Sequence, residues 1–235
     1  MKIDILTLFP EMCESVLNES IIGRAQKAEK VKLECHNIRD FANNKHNKVD
    51  DMPYGGGMGM VMSAQPIYDC YKSLYNEGEE KPHLVYLSPK GKTFNQKRAV
   101  ELAKLDRIVL LCGHYEGIDQ RFIDECVDEE ISLGDFVLTG GEIAAMAVTD
   151  AVCRMVPGVL AAEECFTEES HFSGLLEYPQ YTRPVEFHGA RVPDVLLSGD
   201  HAKIEAWRYD AALELTRRNR PDLLEAREKE ESEIS

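Results

Sequence analysis

With 235 residues, of which 43% are hydrophobic, the chain is long enough to bury one large core or two modest ones. A net charge of −15 argues against a broad electrostatic attraction to nucleic acid, unless the acids are segregated and leave a basic cleft elsewhere. We expect a cytoplasmic protein with reduced thiols and no membrane partner, because there is no apolar run of about 18 residues, no secretory signal pattern and no C-x-x-C pair.

Alternating strand and helix patterns fill the first two thirds of the chain. A strand at 2–9 is followed by a helix that begins at Pro10, and a second strand is predicted at 31–38. Beyond residue 62, helices are predicted at 64–76, 94–104, 118–125 and 141–156, and strands at 83–88, 107–112 and 127–133. This alternation predicts an α/β fold with a parallel sheet and crossover helices.

The segment 40–62 is too long and too rich in glycine for a passive connection, which favours a functional loop. Its centre, Tyr54-Gly55-Gly56-Gly57-Met58, lacks the Gly-Lys-Ser/Thr of a phosphate loop and the Rossmann spacing G-x-G-x-x-G. These absences disfavour an NTPase or a dinucleotide-binding protein. The glycines alone leave a mobile turn and a binding element equally open.

The C-terminal third has a different character. Pro157 and Gly158 end the long helix, and the acidic segment 161–173 is interpreted as a flexible linker. After an extended stretch at 178–184, Asp200 offers an N-cap for a helix, and Pro221 begins a last one. The predicted organisation is therefore a domain at 1–160, a linker at 161–173 and a small helical domain at 174–235.

Three glycine-containing loops follow three of the predicted strands. They are 86–91, 111–117 and 131–142, and the last of them begins the helix at 141–156. Because function in open α/β proteins usually lies at the carboxyl ends of the strands, we expect these loops to form one ligand pocket.

Several charged residues allow two interpretations. Spacing alone favours an ion pair of Arg154 with Asp150, and the alternative is charge stabilisation beside the glycine loop that begins the helix. Glu168 and Glu169 fit a solvated linker, although an acid on a flexible loop could also be a general base. The arginines near the end of the C-terminal helix could complement its dipole or contact phosphates.

Six motifs, in order along nearly the whole chain, resemble the bacterial tRNA (guanine-N1)-methyltransferase family. They are Pro53-Tyr54-Gly55-Gly56-Gly57-x-Gly59-Met60, Tyr86-Leu87-Ser88-Pro89-x-Gly91, Cys112 to Asp119, Ile131 to Glu142, Tyr181-Thr182-Arg183-Pro184 and Val195 to Gly199. The resemblance implies a methyltransferase of the SPOUT class, whose parallel sheet carries a deep C-terminal trefoil knot. It also implies a mainly helical C-terminal domain that binds tRNA, and a homodimer with active sites at the subunit interface.

The implied reaction moves a methyl group from S-adenosylmethionine to N1 of the guanosine immediately 3′ of the anticodon, position 37 of the tRNA. Phe136 stands where the family often has tyrosine. The resemblance assigns binding of the methyl donor to Tyr86, Leu87, Ser88, Pro89, Gly113, Tyr115, Gly117, Ile131, Ser132, Leu133, Gly134, Asp135, Phe136, Val137, Leu138, Gly140 and Gly141.

By the same resemblance Glu169 is the general base and Arg154 stabilises charge on guanine O6. The family uses aspartate where this chain has Glu169, so Glu168 remains an alternative. The candidate contacts to the anticodon stem-loop are Arg183, Arg208, Arg217 and Arg218. The family is also associated with a magnesium ion, for which the sequence offers no recognisable set of ligands.

Two other functions are weighed against this one. A methyltransferase for a different RNA is disfavoured by the C-terminal motifs at 181–184 and 195–199. A noncatalytic RNA-binding module would have a degraded cofactor loop, whereas 131–142 keeps its glycines.

Overall fold

The computed structural model describes residues 1–161, 169–172 and 174–234. The chain divides into two compact units, Met1–Ala162 and Glu163–Ser235. In the part of the chain that the structure describes, no helix is both long enough and apolar enough to cross a membrane.

The first unit is built on a parallel five-stranded sheet, which confirms the predicted α/β class. The strands lie in the order β2-β1-β6-β5-β7. Their bounds are β1 Lys2–Thr7, β2 Lys32–Asn37, β5 His83–Thr93, β6 Arg107–Cys112 and β7 Glu129–Ser132. Between β2 and β5 lies a short antiparallel pair, β3 Asp50–Asp51 and β4 Val61–Met62, which the glycine-rich pattern of 40–62 does not reveal.

Helices cover both faces of the sheet. They are α1 Pro10–Leu17, α2 Ser20–Lys27, α3 Ala64–Lys72, α4 Gln96–Leu102, α5 Gln120–Cys126 and α6 Glu142–Cys153. Successive side chains of a strand point to opposite faces, so Ile108 packs in the core beneath α1, α2, α4 and α6, while Val109 packs beneath α3 and α5. The second helix, α2, is missing from the sequence prediction because the turn at Asn18 contains neither glycine nor proline.

Strand β5 continues past the predicted end at residue 88. Leu87 and Lys92 are both paired with Ile131 of β7, so residues 88–91 bulge out of the strand between them. Pro89 and Gly91 are typical of the end of a strand, but the chain resumes its pairing after them. The bulge places residues 88–90 over the carboxyl end of the sheet.

The second unit contains a short strand pair and helices. Its elements are β8 Glu186–Phe187, β9 Ala190–Arg191, α7 Asp194–Leu197, α8 His201–Asn219 and α9 Pro221–Ile234. As predicted, Asp200 caps α8, its side chain accepting a hydrogen bond from the Lys203 backbone N–H (3.3 Å). Much of the predicted linker at 161–173 lies outside the described residues.

Candidate ligand-binding pocket

A cavity of about 240 Å³ lies in the first unit, at the carboxyl ends of β5, β6 and β7. The three loops singled out in the sequence form most of its walls, together with Ile118, Ile123 of α5 and Ala144 in the first turn of α6. They meet because neighbouring parallel strands end at the same edge of a sheet. The structure therefore brings together segments that are as far apart in the chain as Tyr86 and Gly141.

Of the residues assigned to the methyl donor, all but Gly134 and Asp135 line this cavity. Those two lie in a tight turn in which the Phe136 N–H donates to the Gly134 carbonyl (2.9 Å). Seven lining residues were not assigned from the sequence: Lys90, His114, Glu116, Ile118, Ile123, Thr139 and Ala144. His114 and Glu116 lie within the loop 111–117, which the sequence predicts to be a wall of the pocket. Their place in this loop is the feature from which their position at the pocket could have been predicted.

Two glycines join the walls of the pocket by direct backbone contact. The Gly141 N–H donates to the Gly113 carbonyl (2.9 Å), and Gly140 forms an antiparallel bridge with His114. A Cβ atom on Gly141 would lie 2.6 Å from Cys112 Cα and 3.0 Å from the Gly113 nitrogen. A side chain at this position would separate the start of α6 from the end of β6.

The turn at 113–117 also adopts a backbone that glycine favours. Gly117 has φ +115°, and its N–H donates to the His114 carbonyl (3.0 Å). Tyr115, close to it in the same turn, has φ +60°, an unfavourable conformation for a bulky residue and one that is common at functional sites.

The glycine-rich loop supports the outer side of this turn. The Glu116 N–H donates to the Met60 carbonyl (3.0 Å), and a Cβ on Gly59 would lie 2.5 Å from the Glu116 carboxylate. Tyr54 and Met58, farther out on the loop, are 100% and 94% exposed. Part of the 40–62 segment is thus a structural support of the pocket.

The pocket combines apolar walls with a few polar groups. Leu87, Leu133 and Leu138 supply apolar surface, and Glu116 and Lys90 supply opposite charges. Burial, aided by the nearby carboxylate of Glu130, raises the pKa of Tyr86 to about 12. The Tyr86 hydroxyl is therefore neutral at physiological pH and able to donate a hydrogen bond.

A buried carboxylate to which the sequence analysis assigns no role lies beneath the pocket. Glu142, the first residue of α6, accepts a hydrogen bond from the Thr7 hydroxyl (2.6 Å), and its other oxygen lies 2.7 Å from His114 Nε2. Thr7 is more than 100 positions away from the other two residues in the chain, so no local pattern connects the three.

Arg154 lies outside the pocket of its own chain. It follows the last residue of α6, a helix of 12 residues whose first turn contacts the pocket. A helix of that length spans about 18 Å. Within one chain, Arg154 is thus about one helix length from the glycine loop that begins α6, and its role at guanine O6 stays a prediction. Glu169 belongs to the second unit and is half-buried, and Glu168 lies outside the described residues.

The arginines assigned to tRNA are on the second unit. Arg208 pairs with Glu205 (2.8 Å) and lies 4.9 Å from the Tyr178 ring centroid. Arg217 pairs with Glu214 (2.9 Å). Arg218 contacts the neighbouring Asn219 side chain, and Arg183 is exposed. Solvent-exposed ion pairs contribute little stability, so phosphate groups could replace such partners at small cost.

The described residues contain one group able to hold a metal ion, Asp4, Glu34 and His36, on β1 and β2. Lys2 lies 3.2 Å from Asp4 and 2.6 Å from Glu34, so the carboxylates are already neutralised. Although burial raises the pKa of Asp4, hydrogen bonds from His36 and Arg107 lower it overall. The group therefore does not fit a magnesium site, and it lies on strands away from the pocket.

A parallel sheet covered on both faces, with a glycine-walled pocket at its carboxyl edge, defines an α/β protein with a candidate site for a small ligand. The family model described as tRNA (Guanine-1)-methyltransferase TrmD matches residues 1–226, and the chain belongs to this family.

Curated relatives agree along nearly the full length. The chain is 58% identical over 223 residues to a tRNA (guanine-N(1)-)-methyltransferase of Ruminiclostridium cellulolyticum, an alignment that covers 95% of this chain and 96% of the relative. It is also 58% identical to the protein of that name from Alkaliphilus oremlandii, in an alignment that covers 95% of this chain and 92% of the relative. To one from Bacillus cereus it is 52% identical, over 97% of this chain and 93% of the relative.

Proposed function

We propose that this protein transfers a methyl group from S-adenosylmethionine to N1 of the guanosine immediately 3′ of the anticodon in tRNA. The observation that carries the proposal is the cavity formed jointly by the three loops that the family pattern assigns to the methyl donor. Because the proposed substrate is tRNA, we expect the enzyme to act in the cytoplasm.

The pocket residues suit this donor. The apolar walls at Leu87, Leu133 and Leu138 fit an adenine ring, and the backbone at Gly140 and Gly141 lets the ligand approach polar peptide groups. Glu116 and Lys90 offer opposite charges for the ammonium and carboxylate of the methionine part. When bound, S-adenosylmethionine supplies a methyl group carried on a cationic sulfur. After transfer of the methyl group, this sulfur remains in the leaving group as a neutral thioether.

The chain must supply a base, because guanine N1 carries a proton at neutral pH. In the proposed step the carboxylate of Glu169 takes this proton as the bond between N1 and the methyl carbon forms and the bond to sulfur breaks. The negative charge that spreads to O6 is stabilised by the guanidinium of Arg154. The target base must first leave its stack, which costs least in a single-stranded loop.

We further propose that the active site forms between two copies of the chain. The distance of Arg154 from the pocket of its own chain supports this arrangement, as does an exposed apolar surface, the α1 patch. This patch consists of Phe9, Met12 and Val16, whose spacing places them on one side of α1, and Ile143 on the neighbouring α6. Its large residues are 42–54% exposed, as expected of a surface that a second subunit covers.

The family's trefoil knot is also part of the proposal. Residues 88–91 leave β5 and return to the same partner, Ile131, forming an open loop at the pocket. The segment that follows β7 comes back to pair Gly140 with His114. Both features fit a chain that passes through such a loop. The second unit would bind the anticodon stem-loop through Arg183, Arg208, Arg217 and Arg218.

The function is tested by methyl transfer from labelled S-adenosylmethionine to tRNA transcripts that differ only in the nucleotide after the anticodon. We expect labelling of the guanosine transcript and none of the adenosine transcript. Equal labelling of both transcripts would exclude the proposed target, and a protein that binds the RNA without any transfer would be a noncatalytic module.

The two-subunit site is tested with purified heterodimers that carry different affinity tags. One subunit has Gly141→Ala, which weakens donor binding in its pocket, the other has Glu169→Gln, and the donor is kept well below the dissociation constant of the Gly141→Ala pocket so that this pocket stays largely empty. If each site combines the pocket of one subunit with Glu169 of the other, one of the two sites is intact and roughly half the wild-type activity is expected. An inactive heterodimer would place the pocket and Glu169 in the same subunit.

A further inference from the structure

The buried carboxylate of Glu142 joins three elements beneath the pocket. Its side chain is on the first residue of α6, its partner Thr7 ends β1, and His114 begins the turn after β6. Thr7 is fully buried and Glu142 is 2% exposed. The Thr7 oxygen also accepts a hydrogen bond from the Phe9 N–H (2.9 Å). The carboxylate thus fixes the relative positions of a strand end, a helix start and a pocket wall.

The hydrogen-bond network determines which nitrogen of His114 carries a proton. The Thr7 hydroxyl donates its hydrogen bond to Glu142 Oε1, and we assign the imidazole proton to His114 Nε2, which then donates a hydrogen bond to the other carboxylate oxygen, Oε2. Within the described part of the chain, His114 Nδ1 makes no hydrogen bond. A buried carboxylate is costly without such donors, and the amino terminus of α6 adds further stabilisation.

The ring of His114 fills the space between the two walls of the pocket. Its backbone pairs with Gly140, and a Cβ on Gly140 would meet both the imidazole ring and the Glu142 carboxylate, whose Oε2 would be 2.6 Å away. The Phe9 ring packs on the imidazole, with centroids 5.0 Å apart. Movement of the ring would therefore shift the 113–117 turn relative to Gly140.

We propose that His114 and Glu142 are a positioning pair for the methyl donor. By holding the imidazole, Glu142 locks the 113–117 turn against Gly140 and keeps the pocket in the shape that binds S-adenosylmethionine. The inference rests on the proposed function for the identity of this ligand. Neither residue takes part in the transfer of the methyl group or of the N1 proton.

The chain contains a matched control. His83 Nε2 lies 2.8 Å from Glu129 Oε1, a partly exposed histidine–glutamate pair at the other end of β5 and β7, in which Arg98 also binds Glu129. Neither residue lines the pocket. His83→Ala removes a histidine–glutamate bond from the same sheet without touching the walls of the pocket.

The test is calorimetric titration of S-adenosylmethionine into the wild-type protein, His114→Ala, Glu142→Ala, the double variant, His114→Gln and His83→Ala. We expect each of the first two variants to weaken binding about tenfold or more, as loss of a hydrogen bond to a charged group does. The double variant should bind the donor no more weakly than the single variant with the lower affinity, because the two residues act as one unit. His114→Gln, which keeps a donor for Glu142, and His83→Ala should bind like the wild type.

Kinetics separate positioning from general structural damage. The KM for S-adenosylmethionine should rise as binding weakens, while kcat at saturating donor changes less than about threefold. If the wild-type protein itself does not bind the donor, the proposed function fails. If the wild-type protein does bind the donor, the pair is overturned by wild-type affinity in His114→Ala or Glu142→Ala, or by additive effects in the double variant. Should His114→Ala unfold, a folded His114→Gln that binds weakly would overturn it as well.

Discussion

Replacing Gly141 by alanine tests the packing at the floor of the pocket. The new methyl carbon would lie 2.6 Å from Cys112 Cα and 3.1 Å from Cys112 Cβ, whereas carbon atoms in contact are about 3.5–4.0 Å apart. The backbone of Gly141, with φ −80° and ψ −8°, is allowed for alanine, so the cost is steric. The start of α6 must move away from β6 by roughly 1 Å.

Overpacking of this kind costs about 1–3 kcal/mol of stability. The shift also lengthens the hydrogen bond between Gly141 and the Gly113 carbonyl, 2.9 Å in the wild type, which joins two walls of the pocket. We therefore expect a lower free energy of unfolding in urea and a donor affinity reduced by about tenfold or more, measured by calorimetry.

Gly78→Ala separates these two effects. Gly78 has φ +91°, and a Cβ atom added there would have no atom within 4 Å, so alanine costs about 1–2 kcal/mol of backbone strain and makes no contact with the pocket. This control should lose similar stability and keep its affinity for the donor. A Gly141→Ala protein with wild-type stability and wild-type affinity would refute the packing argument.

Three further predictions concern catalysis, assembly and the sheet. Arg154→Ala should lower kcat by about 10²–10³-fold and Glu169→Gln by at least about 10²-fold in single-turnover assays, with donor affinity unchanged; a fully active Glu169→Gln would move the base elsewhere. Val16→Glu, in the α1 patch, should sediment as a monomer without transferase activity, and a dimer of full activity would exclude the patch as the interface. Asp4→Asn should cost about 1–3 kcal/mol of unfolding free energy near neutral pH, because the fully buried carboxylate loses its charge-assisted bonds to Arg107, His36 and Lys2, which are partly exposed. Since the pKa of Asp4 is lowered in the folded protein, this stabilisation is present above pH about 4 and is lost as the pH falls through the folded-state pKa; a difference from wild type that is constant down to pH about 2 would contradict it.

The sheet and the pocket loops could be predicted because they depend on short-range patterns. Residues 108–112 of β6 are all apolar, as expected when both faces of the sheet are covered, and the alternation of strands with helices predicts parallel pairing. Once the strands are parallel, their carboxyl ends share an edge. The meeting of the three glycine loops then follows from topology.

What the sequence could not reveal depends on tertiary contacts. Proline and glycine, here Pro89 and Gly91, are typical of the end of a strand. Only the second pairing of Ile131, with Lys92 as well as with Leu87, shows that these residues lie in a bulge instead. The bond between Thr7 and Glu142 joins residues 135 positions apart, so no window of sequence contains it. Arg154 and the glycine loop lie at the two ends of one helix, and the length of that helix separates them.

The most direct test of the proposed reaction is mass spectrometry of a tRNA transcript after incubation with this protein and S-adenosylmethionine. Nuclease fragments locate the added methyl group, and the released nucleoside identifies the methylated atom by comparison with standards. We expect one 1-methylguanosine per transcript, in the fragment immediately 3′ of the anticodon. A methyl group on another nucleotide, or another methylated guanosine at that position, would contradict the proposed function.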